Sequence, residues 1–338
     1  MTWQDPVPFL RGTAWLDDRG RAVRADPADL ARLTWDSARR AELPIGVRLE
    51  FTVSPGTRAV EIRYRATVPD APRDLRRLAH CFALWEGRTC VHEALADPAE
   101  EATVTVPLPG GPGPYTVHPP ESQAPDVLGL RAVGGTLSPA PPRPRWLVHG
   151  DSITEGWWST RPAHSWPAVA GRALGLDTVN LGYAGCGRGE LPTAQHLAAL
   201  PADLLTLAFG TNCWSGVPHS APLLYETTRA FITLVRRGHP DTPLLLLSPL
   251  LRPEAESTAN ALGATLAELR TAMEEAVRDL VAAGDERLAL LPGRDLLGPG
   301  HLADGLHPDD AGHARVAAAV ASAVRTAGPL RGRVLTGR

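Results

Sequence analysis

Trp146-Leu-Val-His-Gly-Asp-Ser-Ile-Thr-Glu-Gly156 is the stretch whose reading decides the fold. Its apolar start, Trp146 to Val148, has strand character, stops at Gly150, and is followed two positions later by Ser152. A serine at the C-terminal tip of a buried strand stands at the edge where open α/β sheets place their chemistry. The residues on either side of this stretch differ in pattern, and that difference divides the chain.

Downstream, strand candidates at 145–150, 176–181, 203–209, 243–248 and 287–291 alternate with helical candidates near 162–174, 190–199, 220–238, 257–283 and 309–326. Such alternation gives parallel strands joined by right-handed crossovers. The run Leu244-Leu-Leu-Leu247 suits a strand covered on both faces. Residues 145–330 therefore read as a three-layer, doubly wound α/β domain with a flavodoxin-like parallel sheet.

Upstream, the period is two. Val47, Leu49, Phe51 and Val53 alternate with polar residues, Ser54-Pro-Gly-Thr57 turns the chain, and Val60, Ile62 and Tyr64 alternate again, which predicts a hairpin with one wet face. Further short strands are expected near 78–85, 89–95, 102–108, 114–118 and 127–133, and one short helix over 27–41. Residues 1–137 thus read as an all-β sandwich or jelly roll. Ser138-Pro-Ala-Pro-Pro-Arg-Pro144 resists regular structure and reads as a stiff linker.

In a parallel sheet all C-terminal strand ends share one edge. Ser152 follows the first strand, Gly182 the second and Asn212 the third, and Asp304 and His307 precede the last helix on that same edge. A serine hydroxyl needs a base to become a nucleophile, and histidine suits that task near neutrality. His307 is the candidate base, with Asp304 accepting its other ring N–H. The backbone N–H groups of Ser152 and Gly182 and the amide of Asn212 are candidate donors to an oxyanion.

Gly150-Asp-Ser-Ile-Thr154, Gly182, Gly210-Thr-Asn212 and Asp304-x-x-His307, in that order, resemble the four blocks of the SGNH (GDSL) hydrolases. The resemblance covers most of 145–330. It implies a serine esterase mechanism without metal or organic cofactor, with Ser152, Asp304 and His307 catalytic and Ser152, Gly182 and Asn212 forming the oxyanion hole. Cys213 stands where that third block often carries aspartate. A β-sandwich ahead of such a domain is similar to two-domain carbohydrate esterases that remove acetyl groups. The expected activity is hydrolysis of a short acyl ester, acetyl first, on a carbohydrate or polyol. An acyltransferase, a lipase or lysophospholipase, and a non-enzymatic carbohydrate-binding protein are the alternatives.

Rival chemistries fit less well. His80, Cys81, Cys90 and His92 lack the paired short spacings of zinc sites. The run Gly182-Tyr-Ala-Gly-Cys-Gly-Arg-Gly189 fails the dinucleotide fingerprint, having Glu190 where the third glycine is needed. Thr154 breaks a Gly-x-Ser-x-Gly elbow. Cys186 and Cys213 read as incidental thiols, and His149, His301 and His313 as less suited bases than His307. Trp157, Trp158 and Trp214 flank the blocks and are the candidate pocket aromatics.

The chain has no lysine, so all 34 basic residues are arginines, which excludes a Ser–Lys dyad or Schiff base. A net charge of −3 without a basic block argues against nucleic acid or an anionic membrane as the main partner. Neither a signal peptide nor a membrane span is apparent, and four cysteines are too few for a disulfide framework, so a cytoplasmic protein is expected.

Overall fold

The computed structural model describes residues 2–66 and 80–328. The first two positions of the strand expected over 78–85, and residues 329–330 of the α/β segment, lie outside the described residues.

The C-terminal half is built on five parallel strands: β1 (Arg145–Gly150), β2 (Asp177–Gly182), β3 (Leu204–Ala208), β4 (Leu244–Leu247) and β5 (Leu288–Leu291). Their spatial order is β2-β1-β3-β4-β5, the flavodoxin-like arrangement. Alternate residues feed opposite faces. Leu147, Leu205, Leu207, Leu244 and Leu246 join one core cluster, while Trp146, Val148, Leu204, Leu245 and Leu247 join the other.

Helices cover both faces. On one lie α3 (Leu191–Ala199), α4 (Ala221–Gly238) and α5 (Leu266–Ala282), and on the other α2 (Trp166–Leu174) packs against α6 (Asp310–Thr326). The seven-residue helix Trp35–Ala41 is α1. Caps fix the helix starts. Thr265 and Glu268 form a reciprocal capping box for α5, and the Asp309 carboxylate accepts the Gly312 N–H for α6. The helix expected over 257–283 begins only at Leu266, because Asn260 folds the preceding residues into a loop by accepting the N–H groups of Leu262 and Ala264.

The N-terminal half is a sandwich of antiparallel sheets. One contains Leu10–Arg11, Arg48–Val53, Tyr115–His118, Cys81–Glu86 and Thr89–Leu95, with Leu137–Pro139 added beside Arg48–Val53; the other contains Asp126–Val133, Ala59–Ala66 and Ala99–Pro107. Phe51, Ile62, Tyr64 and Val106 share its core.

Three local expectations are corrected. The strands flanking Ser54–Thr57 do not pair with each other: Arg48–Val53 pairs with Leu10–Arg11, Tyr115–His118 and Leu137–Pro139, whereas Ala59–Ala66 pairs in the opposite sheet. Period two shows that each strand has an apolar face but does not choose its partner. Nor is the other face of Arg48–Val53 wet, since Arg48 and Glu50 are buried and paired with each other, and Arg48 reaches Asp177 on β2. Ser138 and Pro139, expected in the linker, belong to an edge strand, where proline's missing N–H costs no ladder bond. Residues 27–41 form a 3₁₀ segment, Pro27–Arg32, followed by α1.

The two halves are joined through Asp177 at the start of β2. Its Oδ1 accepts from Arg48 Nη2 at 2.7 Å and from the Gly12 N–H at 2.9 Å. Ala25 and Ala41 enter the α/β core beside Leu181 and Tyr183, with Trp15, Leu30 and Leu33 packed against that cluster. Residues 12–41 therefore lie on the α/β layer, and this contact reaches the loops beyond β1 and β2.

Candidate active site

Sheet register sets the site. Gly150 stands level with Gly182 on one side and Ala208 on the other, so the loops leaving β1, β2 and β3 emerge together. The Asp151 carboxylate accepts the Ile153 N–H at 2.9 Å, capping the short helical turn Ser152–Glu155 that carries the serine. Burial pushes the Asp151 carboxyl up to about 7, against the pull of backbone N–H groups at Ile153, Thr154 and its own position.

Ser152 Oγ lies 2.8 Å from His307 Nε2, across 155 residues of sequence. His307 Nδ1 lies 2.8 Å from Asp304 Oδ2, while Asp304 Oδ1 accepts the N–H groups of His307 at 2.8 Å and Leu306 at 3.0 Å. Gly305, at φ 84°, supplies the left-handed step that folds the aspartate back onto the histidine. Burial alone would raise the Asp304 carboxyl, but the backbone N–H and imidazole of His307 outweigh it and hold the group below the usual carboxylate value. With Asp304 ionised, the consistent tautomer carries its proton on Nδ1 and presents Nε2 to the serine. Ser152 and His307 are each only 7% exposed, so this pair is largely shielded from water.

The glycine assignment from sequence is corrected. The Gly182 N–H donates to Asn180 Oδ1 at 2.9 Å, and a Cβ at 182 would lie 2.3 Å from the Glu155 backbone nitrogen. Gly182 is thus needed for close packing beneath the serine turn, and its N–H is occupied. Three residues on, Gly185 takes φ +77° with open space around it, and no partner for its N–H is found among the described residues. Its loop runs beside the serine: a Cβ at Gly187 would come within 3.0 Å of Gly150 and the Asp151 nitrogen. Asn212, on the 3₁₀ turn after β3, donates one amide hydrogen to the Cys186 carbonyl at 2.5 Å, which ties its side chain to the same loop and leaves a second hydrogen.

The tryptophans separate. The Trp157 ring stacks on His307, with centroids 5.3 Å apart and planes at 30°. Trp214 donates its indole N–H to the Thr258 carbonyl at 2.8 Å, and Arg252 lies over its ring at 4.6 Å. Trp158 holds a left-handed backbone at φ 66°. His313 is buried, accepts the Trp166 N–H on Nδ1 and bonds the Trp157 carbonyl through Nε2. His149 is buried against Phe231, and His301 sits at Gly298. Burial raises the Cys186 thiol to about 11 and the Cys213 thiol further, which disfavours a thiolate at either. Cys81 and Cys90 lie on adjacent strands but on different rungs, Cys81 opposite Leu95 and Cys90 opposite Trp85.

Two arginines that sequence reasoning missed come from the N-terminal segment. Arg24, 1% exposed, donates to the carbonyls of Gly182, Arg40 and Leu43. Arg40 ion-pairs with Glu155, on the serine turn. No local pattern announces either, because the partners that tie them to the site, Gly182 for Arg24 and Glu155 for Arg40, lie more than a hundred positions away.

A three-layer α/β unit with a Ser–His–Asp relay at the C-terminal edge of its sheet defines a class of serine acyl-transfer enzymes. Residues 148–315 match the sequence model of the GDSL-like lipase/acylhydrolase family, and the α/β half of the chain belongs to that family, within the SGNH hydrolases. No curated protein matches the chain in sequence. Among solved structures, the salicylyl-acyltransferase SsfX3 from a tetracycline biosynthetic pathway is similar at 23% identity and TM-score 0.82, over 95% of this chain and 96% of that one. A GDSL-like lipase structure from Bacteroides ovatus aligns at 20% identity and TM-score 0.78, over 96% of both chains. A family two carbohydrate esterase from Cellvibrio japonicus aligns at 16% identity and TM-score 0.64, over 96% of this chain and 97% of that one. These likenesses extend over both halves and establish the shared fold. No helix among the described residues is long and apolar enough to cross a membrane.

Proposed function

We propose that this protein is a serine esterase that removes a short acyl group, acetyl first, from a carbohydrate or other polyol through an acyl-enzyme. The observation that carries the reading is the unbroken line from Ser152 Oγ through His307 to Asp304, with 2.8 Å at each step.

In the first half-reaction Ser152 Oγ attacks the ester carbonyl and its proton passes to His307 Nε2. The carbonyl π pair moves onto oxygen, giving a tetrahedral oxyanion. Asp304 holds the imidazolium in register and offsets its charge. The oxyanion accepts from the Ser152 and Gly185 N–H groups and from the free Asn212 amide hydrogen, donors already fixed by the fold. Collapse breaks the bond to the alcohol oxygen, which leaves with the proton from Nε2. Water then repeats the sequence, giving its proton to His307 and releasing the acid and Ser152. No step needs a metal or organic cofactor.

Acetylated sugars are the first substrates to test, because family two carbohydrate esterases share this two-part architecture. Transfer to an alcohol or amine in place of water uses the same residues, and the end-to-end likeness to an acyltransferase is the specific reason to include acceptors in the assay. Released acid is measured with p-nitrophenyl acetate, longer esters and acetylated sugars, for the wild type and Ser152→Ala. The variant is expected to lose essentially all turnover. Equal rates in both would refute the assignment, and preference for long chains would move it toward a lipase.

A further inference from the structure

We propose that Arg40, in the N-terminal segment, is a positioning residue that holds both the base and the oxyanion loop of this site; the inference rests on the reading of Ser152 and His307 given above. Arg40 lies one residue from the end of α1 and is 9% exposed. Its guanidinium makes two contacts, one with Trp157 and one with Glu155.

The first leads to the base. Arg40 Cζ lies over the Trp157 ring, 5.7 Å from its centroid, and the same ring stacks on His307. Trp157 Nε1 is buried with no hydrogen-bond partner, so nothing polar on the indole fixes the ring's rotation. Its backbone is held, by Ser152 O and by His313, but the ring depends on what packs against its faces. A guanidinium over an aromatic face is such a packing partner, and its charge is attracted to the ring's negative quadrupole.

The second leads to the oxyanion loop. Arg40 pairs with Glu155, Nη2 with Oε1, and Nε donates to Oε2 at 3.3 Å. Glu155 Oε2 accepts the Ala184 N–H at 2.7 Å, which anchors the Tyr183–Ala184 peptide, one unit before the peptide that carries the Gly185 N–H. Glu155 is 3% exposed, and its other cation, Arg24, stands 3.8 Å away. A planar fork can satisfy the carboxylate and face the indole together, a geometry lysine does not reproduce. The N-terminal segment is then part of the catalytic apparatus without touching substrate.

The test uses the full chain with Arg40→Met, Arg40→Lys, Trp157→Leu, and the charge-neutral pair Arg40→Met with Glu155→Gln, whose amide oxygen can still accept from Ala184. Readouts are kcat and KM on p-nitrophenyl acetate, the thermal midpoint, and the rate at which a fluorophosphonate labels Ser152. Arg40→Met is expected to lower kcat and labelling roughly ten- to a hundredfold, with KM within about twofold. Arg40→Lys should recover part of that loss. The neutral pair should regain the thermal midpoint but not kcat, because Trp157 still lacks its support. Placed on Trp157→Leu, the neutral pair should add little further loss. A neutral pair with wild-type kcat, or full additivity with Trp157→Leu, would overturn the proposal and leave Arg40 a charge partner only. A wild type that the probe does not label at Ser152 would instead refute the underlying reading of the site.

Discussion

Replacing Asp304 with asparagine separates the orienting role of its carboxylate from its role in shaping the loop. Oδ1 accepts the backbone N–H groups of Leu306 and His307, and Oδ2 accepts the imidazole N–H. Asparagine keeps an oxygen for the two backbone donors but places an NH₂ against Nδ1. Two donors cannot face each other, so the imidazole carries its proton on Nε2, where it cannot accept the Ser152 proton. The expected loss in kcat is about 10⁴-fold, as for a triad held in the wrong tautomer, or roughly 5 kcal/mol of barrier. The thermal midpoint should move by only about 3 °C, because the turn keeps its backbone bonds. Asp304→Ala loses all three bonds and should cost about 1–3 kcal/mol of stability besides the activity. The assay is kcat at saturating p-nitrophenyl acetate with a thermal melt on the same preparations. An asparagine variant retaining more than about a tenth of wild-type kcat would refute the tautomer argument.

His313 gives a pH-dependent signal. Its burial, only partly offset by the bond to the Trp157 carbonyl, holds it down to about 4 in the folded protein. Between that value and the ordinary unfolded one near 6.5 the unfolded chain binds the extra proton, so stability falls as pH falls, by at most roughly 3 kcal/mol over the window. Asp151, raised to about 7, acts in the opposite sense, losing stability as pH rises toward that value. The difference between wild type and His313→Gln in denaturant midpoint isolates the histidine. Parallel curves from pH 7 to 4 would refute it. The two glycines of the β2 loop should respond differently. Gly182→Ala pushes a Cβ into the Glu155 backbone and should unfold or severely destabilise the protein. Gly185→Ala meets only the cost of a left-handed alanine, about 1–2 kcal/mol, so it should fold but lose roughly ten- to a hundredfold in kcat as the N–H turns away. Wild-type kcat in folded Gly185→Ala would remove that N–H from the oxyanion hole.

Much of this protein is legible along the sequence. The alternation after Trp146 gives the parallel sheet, since a helix cannot cover a strand without the chain crossing over it. The spacing of Ser152, Asn212, Asp304 and His307 gives the common edge, because consecutive parallel strands all point the same way. The aspartate–histidine contact is local, and a glycine between them makes it possible. What the sequence does not carry is choice among partners of equal local quality. The strands on either side of Ser54–Thr57 have the same period two whether they pair with each other or face each other across a core. Gly182 and Gly185 are both glycines in one short run, and only the position of Asn180 and Glu155 shows which N–H is occupied. Arg24 and Arg40 look like ordinary residues of an arginine-rich segment until folding brings them under β2 and the serine turn. Ser152 is marked by its strand tip, but the packing beneath and beside it draws on Arg24 and Arg40, more than a hundred residues earlier, and on His307, 155 residues later. Local periodicity follows from the geometry of one element, whereas the packing around Ser152 follows from surfaces that meet only when both halves of the chain are in place.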